Sequence, residues 1–122
     1  MIKYKYNLLV DFKIIGQTFY YYRWLKSKGI KIIHPNHFRM VSLWWRLPDN
    51  LPKINLKKDI TCYIVSCGTW GAYQEPDKIF ICPYGIKDVE DVINHEIRHL
   101  EYANETRHMT HEDREKYVDK YE

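Results

Sequence analysis

From Asp88 onward the apolar residues of this sequence recur at three- and four-residue steps: Val89, Val92, Ile93, Ile97, Leu100 and Ala103. The stripe predicts one amphipathic helix running to about Arg107. Asp88, Glu90 and Asp91 sit in its first turn, where the helix dipole favours carboxylates. Such a helix must bury its stripe, and the preceding segment offers the surface. Residues 60–67 and 78–82 are rich in β-branched and aromatic side chains, and Gly68, Gly71 and the run 74–77 supply turns between them. They read as two strands of an antiparallel hairpin with a long connection, which has room for a short extra strand at 70–73. Thr110, with Asp113 three positions on, marks a capping-box-like start for a last helix over 111–121. The class expected is α+β, a short mixed or antiparallel sheet packed with helices.

The first half of the chain is different. Between residues 7 and 26, Leu8, Leu9, Phe12, Ile15, Phe19, Tyr22 and Leu25 follow helical spacing, although the aromatic knot 19–24 suits a strand equally well. Ile30–Ile33 reads as a short extended piece stopped by Pro35. Phe38, Val41, Trp44 and Trp45 share the face of a second short helix over 38–47, and 48–58 reads as a connector. Residues 1–58 carry twelve Lys/Arg against Asp11 and Asp49, a local charge of +10; residues 59–122 carry seven against fourteen Asp/Glu, or −7. A chain of 122 residues is one domain, 1–122, with a basic helical and aromatic part and an acidic part that holds the sheet.

No apolar run reaches the roughly 18–20 residues of a membrane span, and no secretory cleavage pattern follows the first apolar stretch. A cytoplasmic protein without a membrane partner is therefore expected. Cys62, Cys67 and Cys82 form an odd set without a C-x-x-C pair, which suggests neither a disulfide framework nor a cysteine zinc site. A Cys62–Cys82 cross-strand bond is conceivable; small strand residues are the plainer reading.

Within the long helix lies His95-Glu96-Ile97-Arg98-His99. Side chains four apart on a helix point the same way, so both imidazoles reach one metal ion, and Glu96 leans over its open position. There zinc (Zn2+) lowers the pKa of water toward about 7 and a carboxylate takes the proton. Arg98 reads as an exposed helix charge. The spacing leaves the third ligand open among Glu105, His108, His111, Glu112 and Glu115. The metzincin pattern is disfavoured, because Tyr102 and Glu105 stand where it needs Gly and His.

The segment Glu115-Lys116-Tyr117-Val118-Asp119-Lys120-Tyr121 resembles the glutamate helix of the gluzincin metallopeptidases, and at this size the chain is most similar to the single-domain minigluzincins. The resemblance covers about residues 60–122 and includes 71–81, similar to the strand bordering the cleft in small zincins. It implies a zincin-like fold with an active-site helix and a C-terminal glutamate helix. It also implies zinc held by His95, His99 and Glu115, Glu96 as general base, and Asp119 orienting a ligand histidine; His111 remains the alternative third ligand outside the resemblance. The activity implied is hydrolysis of a peptide or protein substrate lying along the strand edge. Tyr102 and Tyr117 are the candidates for oxyanion stabilisation.

Two further expectations come from the basic half. Lysines among aromatic residues admit a nucleic-acid- or protein-binding module in which any zinc site is structural or vestigial, but core aromatics beneath a solvated lysine surface are the favoured reading. Alternatively, the basic half lies against the acidic half and restricts the cleft, leaving a latent peptidase.

Overall fold

The structure, a computed structural model, describes residues 1–119; Lys120 and Tyr121, which the reading above includes in the last helix, lie outside the described residues. In chain order the elements are β1 (Ile2–Lys5), α1 (Leu8–Tyr20), α2 (Tyr22–Ser27), α3 (His37–Trp45), β2 (Ile60–Ile64), β3 (Gly71–Gln74), β4 (Lys78–Ile81), α4 (Val89–Glu101), α5 (Ala103–Thr106) and α6 (His111–Asp119). The fold is a small α+β domain built on a four-stranded mixed sheet with the order β1-β2-β4-β3.

The strands over 60–64 and 78–81 are neighbours, but they run parallel, with Cys62 opposite Ile79 and Tyr63 opposite Phe80. The antiparallel hairpin is β3–β4, where Ala72 faces Phe80 and Tyr73 faces Ile79. Inserting β3 reverses the chain once more before β4, which makes β4 parallel to β2 and leaves β3 at the sheet edge. On the far side β1 adds to β2 in parallel, Ile2 opposite Ile60. This strand was not anticipated, although Ile2 buried between exposed neighbours is the period-two pattern of a strand.

One face of the sheet forms the core. Ile60, Cys62 and Ile64 of β2 and Ile79 and Ile81 of β4 are buried with Val89, Ile93 and Ile97 of α4. Each such side chain contributes roughly 1.5–3 kcal/mol through burial. The α4 stripe is thus the one read from the sequence. Asp88 caps the helix by accepting a hydrogen bond from the Asp91 N–H at 3.1 Å. The predicted helix to Arg107 is divided at Tyr102 into α4 and α5.

The opposite face carries Tyr63 and Phe80, stacked at 5.6 Å. Val10 and Ile14 of α1 lie across a 310 Å³ groove from them. Asn7 caps α1 through the N–H groups of Leu9 and Val10. The helical reading of the aromatic knot holds, with a break at Tyr21. The inward face of α1 is not the expected apolar stripe. Asp11 and Thr18 are its buried residues, while Leu8, Leu9, Phe12 and Phe19 are exposed. The reason is Asp11, which accepts hydrogen bonds from the Ser66 N–H (3.0 Å), the Ser66 hydroxyl (2.8 Å) and the Tyr6 hydroxyl (2.8 Å). A carboxylate that finds three donors inside dictates which way the helix faces. Gly68, with φ of +104°, lets α1 pack closely, since a Cβ there would lie 3.1 Å from Ile14 Cγ2 and 3.3 Å from Thr18 Oγ1. In α3 the expected face is likewise outward: Phe38, Val41, Trp44 and Trp45 are exposed and Leu43 alone is buried.

Replacing Asp11 with Ala strands the Ser66 N–H in the interior and is expected to lower stability by about 3 kcal/mol, read by urea denaturation, with Asn costing less. All three cysteines are free and buried, and burial pushes the Cys62 thiol up to about 12 and the Cys82 thiol up to about 11. Since these folded values exceed the unfolded one near 9, the neutral thiols stabilise the fold fully below pH 9. That contribution fades as pH rises toward 11–12. A thiol reagent at pH 8 is expected to label the protein slowly until denaturant is added.

Candidate metal centre

The donor atoms converge from two helices. On α4, His95 and His99 are one turn apart and project to the same side, their Nε2 atoms 3.2 Å from each other. On α6, Glu115 places Oε2 at 2.8 Å from His95 Nε2 and Oε1 at 3.0 Å from His99 Nε2. One ligand atom from each of the three residues lies within 4.8 Å of the other two. Ligand atoms of tetrahedral zinc, each about 2.0–2.1 Å from the metal, are about 3.3 Å apart, so this constellation has the compactness a single cation needs. Two imidazole nitrogens and one carboxylate also leave a fourth position open, the donor set of catalytic zinc.

The position of α6 follows from local chemistry. Thr110 Oγ1 accepts from the Asp113 N–H at 3.2 Å, so the cap read from the sequence is present. Arg114 donates to the carbonyls of Thr106 (3.0 Å) and Arg107 (2.9 Å), tying the first turn of α6 to the end of α5. Val118 is fully buried. The tight turn between the helices therefore aims Glu115 back at α4.

The other candidate ligands lie outside this convergent group, although His111 lines the same cleft. Glu112 pairs with Lys28 at 3.2 Å. His111 is exposed and its ring meets that of Trp24 edge-on at 6.4 Å. His108 and Glu105 are exposed, away from the convergent group. Asp119 Oδ1 lies 3.6 Å from His95 Nδ1, an electrostatic contact longer than a hydrogen bond. Tyr102 and Tyr117 pack edge to face on each other at 5.7 Å. Arg98, expected to be exposed, is half-buried, because α5 and α6 fold back over this part of α4.

Glu96 is buried behind the histidines against β3. A Cβ on Gly71 would lie 3.0 Å from Glu96 Cγ and Oε1, so only glycine lets the edge strand approach this closely. Burial pushes the Glu96 carboxyl up to about 7, against the pull of the His99 and His95 charges. For Glu115, burial also acts upward, but the hydrogen bonds to His95 and His99 prevail and hold it well below the usual carboxylate range.

Sequence reasoning missed two parts of this site. The Tyr73 ring stacks on His99 at 4.5 Å with planes 8° apart. It fixes the imidazole plane where His99 Nδ1, buried, has no hydrogen-bond partner among the described residues. Trp24, Ile30 and Lys31 from the basic half, with Trp70, form one wall of an 860 Å³ cleft that His95, Glu96 and Glu115 line from the other side. The expectation that the basic half lies against the acidic half is met here by named contacts, Lys28–Glu112 and Trp24–His111. These join residues more than eighty apart, and no local pattern encodes them.

Compared with protein-family models, curated proteins and solved structures, the chain matches none.

The geometry separates the candidate ligands experimentally. The wild type is expected to retain one zinc per chain after dialysis, measured by elemental analysis. Glu115→Ala should lose it, with affinity falling at least about tenfold as when a supporting contact of a metal site is removed, and His111→Ala should keep it.

Proposed function

We propose that this chain is a zinc-dependent metallopeptidase of the gluzincin kind, its sheet and metal-site helices forming a small zincin-like domain. The observation that carries this reading is the convergence of His95, His99 and Glu115 beside the buried carboxylate of Glu96, at the edge of an open cleft. His95, His99 and Glu115 would hold the metal. When bound, zinc supplies Lewis acidity to polarise a scissile carbonyl and to acidify water.

The remaining steps belong to the chain. The free edge of β3 faces the cleft through Gly71, Ala72 and Tyr73, so an extended substrate backbone can pair with it as an added strand. That pairing sets the scissile bond in register with Glu96, which touches the first residue of the strand. Glu96 takes a proton from the attacking water and delivers it to the departing amine nitrogen. Its burial keeps bulk water from competing for that proton and raises its basicity toward the range useful near neutral pH. Asp119, on the Nδ1 side of His95, favours the tautomer whose Nε2 lone pair faces the cation.

Glu96→Gln preserves shape and removes the base. It is expected to abolish cleavage of a fluorogenic peptide library while zinc content stays at the wild-type level. A wild-type protein that carries zinc and cleaves nothing in such a library would defeat this reading.

A further inference from the structure

The least explained surface of the molecule is the outward face of α1. Leu8, Phe12 and Phe19 are spaced by four and seven residues and align, with Leu9 and Tyr20 beside them, across roughly a third of the helix circumference. Leu9 is 77%, Phe12 50%, Phe19 67% and Tyr20 81% exposed. Scattered exposed apolar residues are ordinary; an aligned stripe of aromatic and aliphatic side chains marks an interaction surface.

The charges of the same stretch of sequence narrow the choice of partner. Residues 1–48 contain one carboxylate, Asp11, and it is fully buried. Every exposed charged side chain in this stretch is therefore a cation. Lys13 lies on α1 itself, Arg23 and Lys26 are exposed on α2, which follows directly, and Lys3 and Lys5 are exposed on β1. The partner must accept leucine and phenylalanine side chains and be anionic. Nucleic acid would meet the cations and could stack on Phe12, Phe19 and Tyr20, but it offers no apolar medium for Leu8 and Leu9. A second copy paired through the same face would bring cation against cation.

We propose that α1 is an interfacial helix that seats the protein on an anionic lipid bilayer, its apolar stripe entering the boundary between headgroups and acyl chains, with Lys13 and the exposed cations of β1 and α2 meeting lipid phosphates and carboxylates. Helices that lie in the plane of a membrane surface likewise bury aromatic and leucine residues in the headgroup boundary. Here α1 itself supplies one cation, Lys13, and the others come from α2 and β1. It involves no spanning segment, and no helix among the described residues is long and apolar enough to cross a membrane. The surface does not depend on the metal centre.

The test is co-sedimentation with vesicles. The full chain is expected to bind phosphatidylcholine–phosphatidylserine vesicles, to bind pure phosphatidylcholine vesicles much less, and to be released progressively by salt. Phe12→Ser combined with Phe19→Ser should weaken binding by about tenfold or more, with circular dichroism confirming the fold. Leu9→Glu is a second variant that removes apolar contact at the most open aliphatic position. The proposal is overturned if anionic vesicles do not bind the protein, or if binding is indifferent to these substitutions. It is equally overturned if light scattering shows a dimer that the same substitutions dissolve, or if they instead abolish an equally tight association with single-stranded nucleic acid.

Discussion

The fold turns on how closely β3 approaches α4. At Gly71 the strand lies so close to α4 that a Cβ there would meet Val92 Cγ1 at 2.9 Å and Glu96 Cγ at 3.0 Å, closer than side chains pack. This contact covers one side of Glu96, which is left only 6% exposed, and β3 also lays the Tyr73 ring on His99. The same approach sets the cleft, because the strand that covers the carboxylate is the strand whose free edge borders the cavity. One missing methyl group thus relates the buried Glu96 carboxyl to the groove.

What the sequence made legible is local. The cap at Asp88, the stripe from Val89, the cap at Thr110 and the i, i+4 histidines depend on residues within a turn or two of each other, and each is found where expected. Glu115 came from resemblance and not from spacing, and the structure brings it to both histidines. Strand direction was misjudged because the pairing of residues 60–64 with 78–81 depends on whether a third strand forms between them. In α1 apolar periodicity marks the outward face, and the buried positions are Asp11 and Thr18. The donors that hold Asp11 inside are the hydroxyl of Tyr6 and the backbone and hydroxyl of Ser66, the latter fifty-five positions away.

Asp11 also recasts the division of charge. With the only carboxylate of the first 48 residues consumed indoors, the exterior of that region is of one sign, and its exposed aromatic residues share that exterior. The acidic half is divided differently. Glu96 and Glu115 are turned toward the histidines, while Glu112 and Glu75 form exposed pairs with Lys28 and Arg107. The two halves meet at the cleft, where the wall from the basic half stands opposite the helices that carry the acidic donors.

Helix α6 contributes one fully buried apolar side chain, Val118, and is otherwise held by the Tyr117–Tyr102 ring contact, its first turn and Glu115. A cation shared between Glu115 and the α4 histidines would close a loop from residue 99 to residue 115, acting as a clasp on a helix that has little hydrophobic grip of its own. Affinity for the ion would then include the work of docking that helix. Seating α6 and filling the site would be a single cooperative event, with the last segment of the described chain serving as the latch.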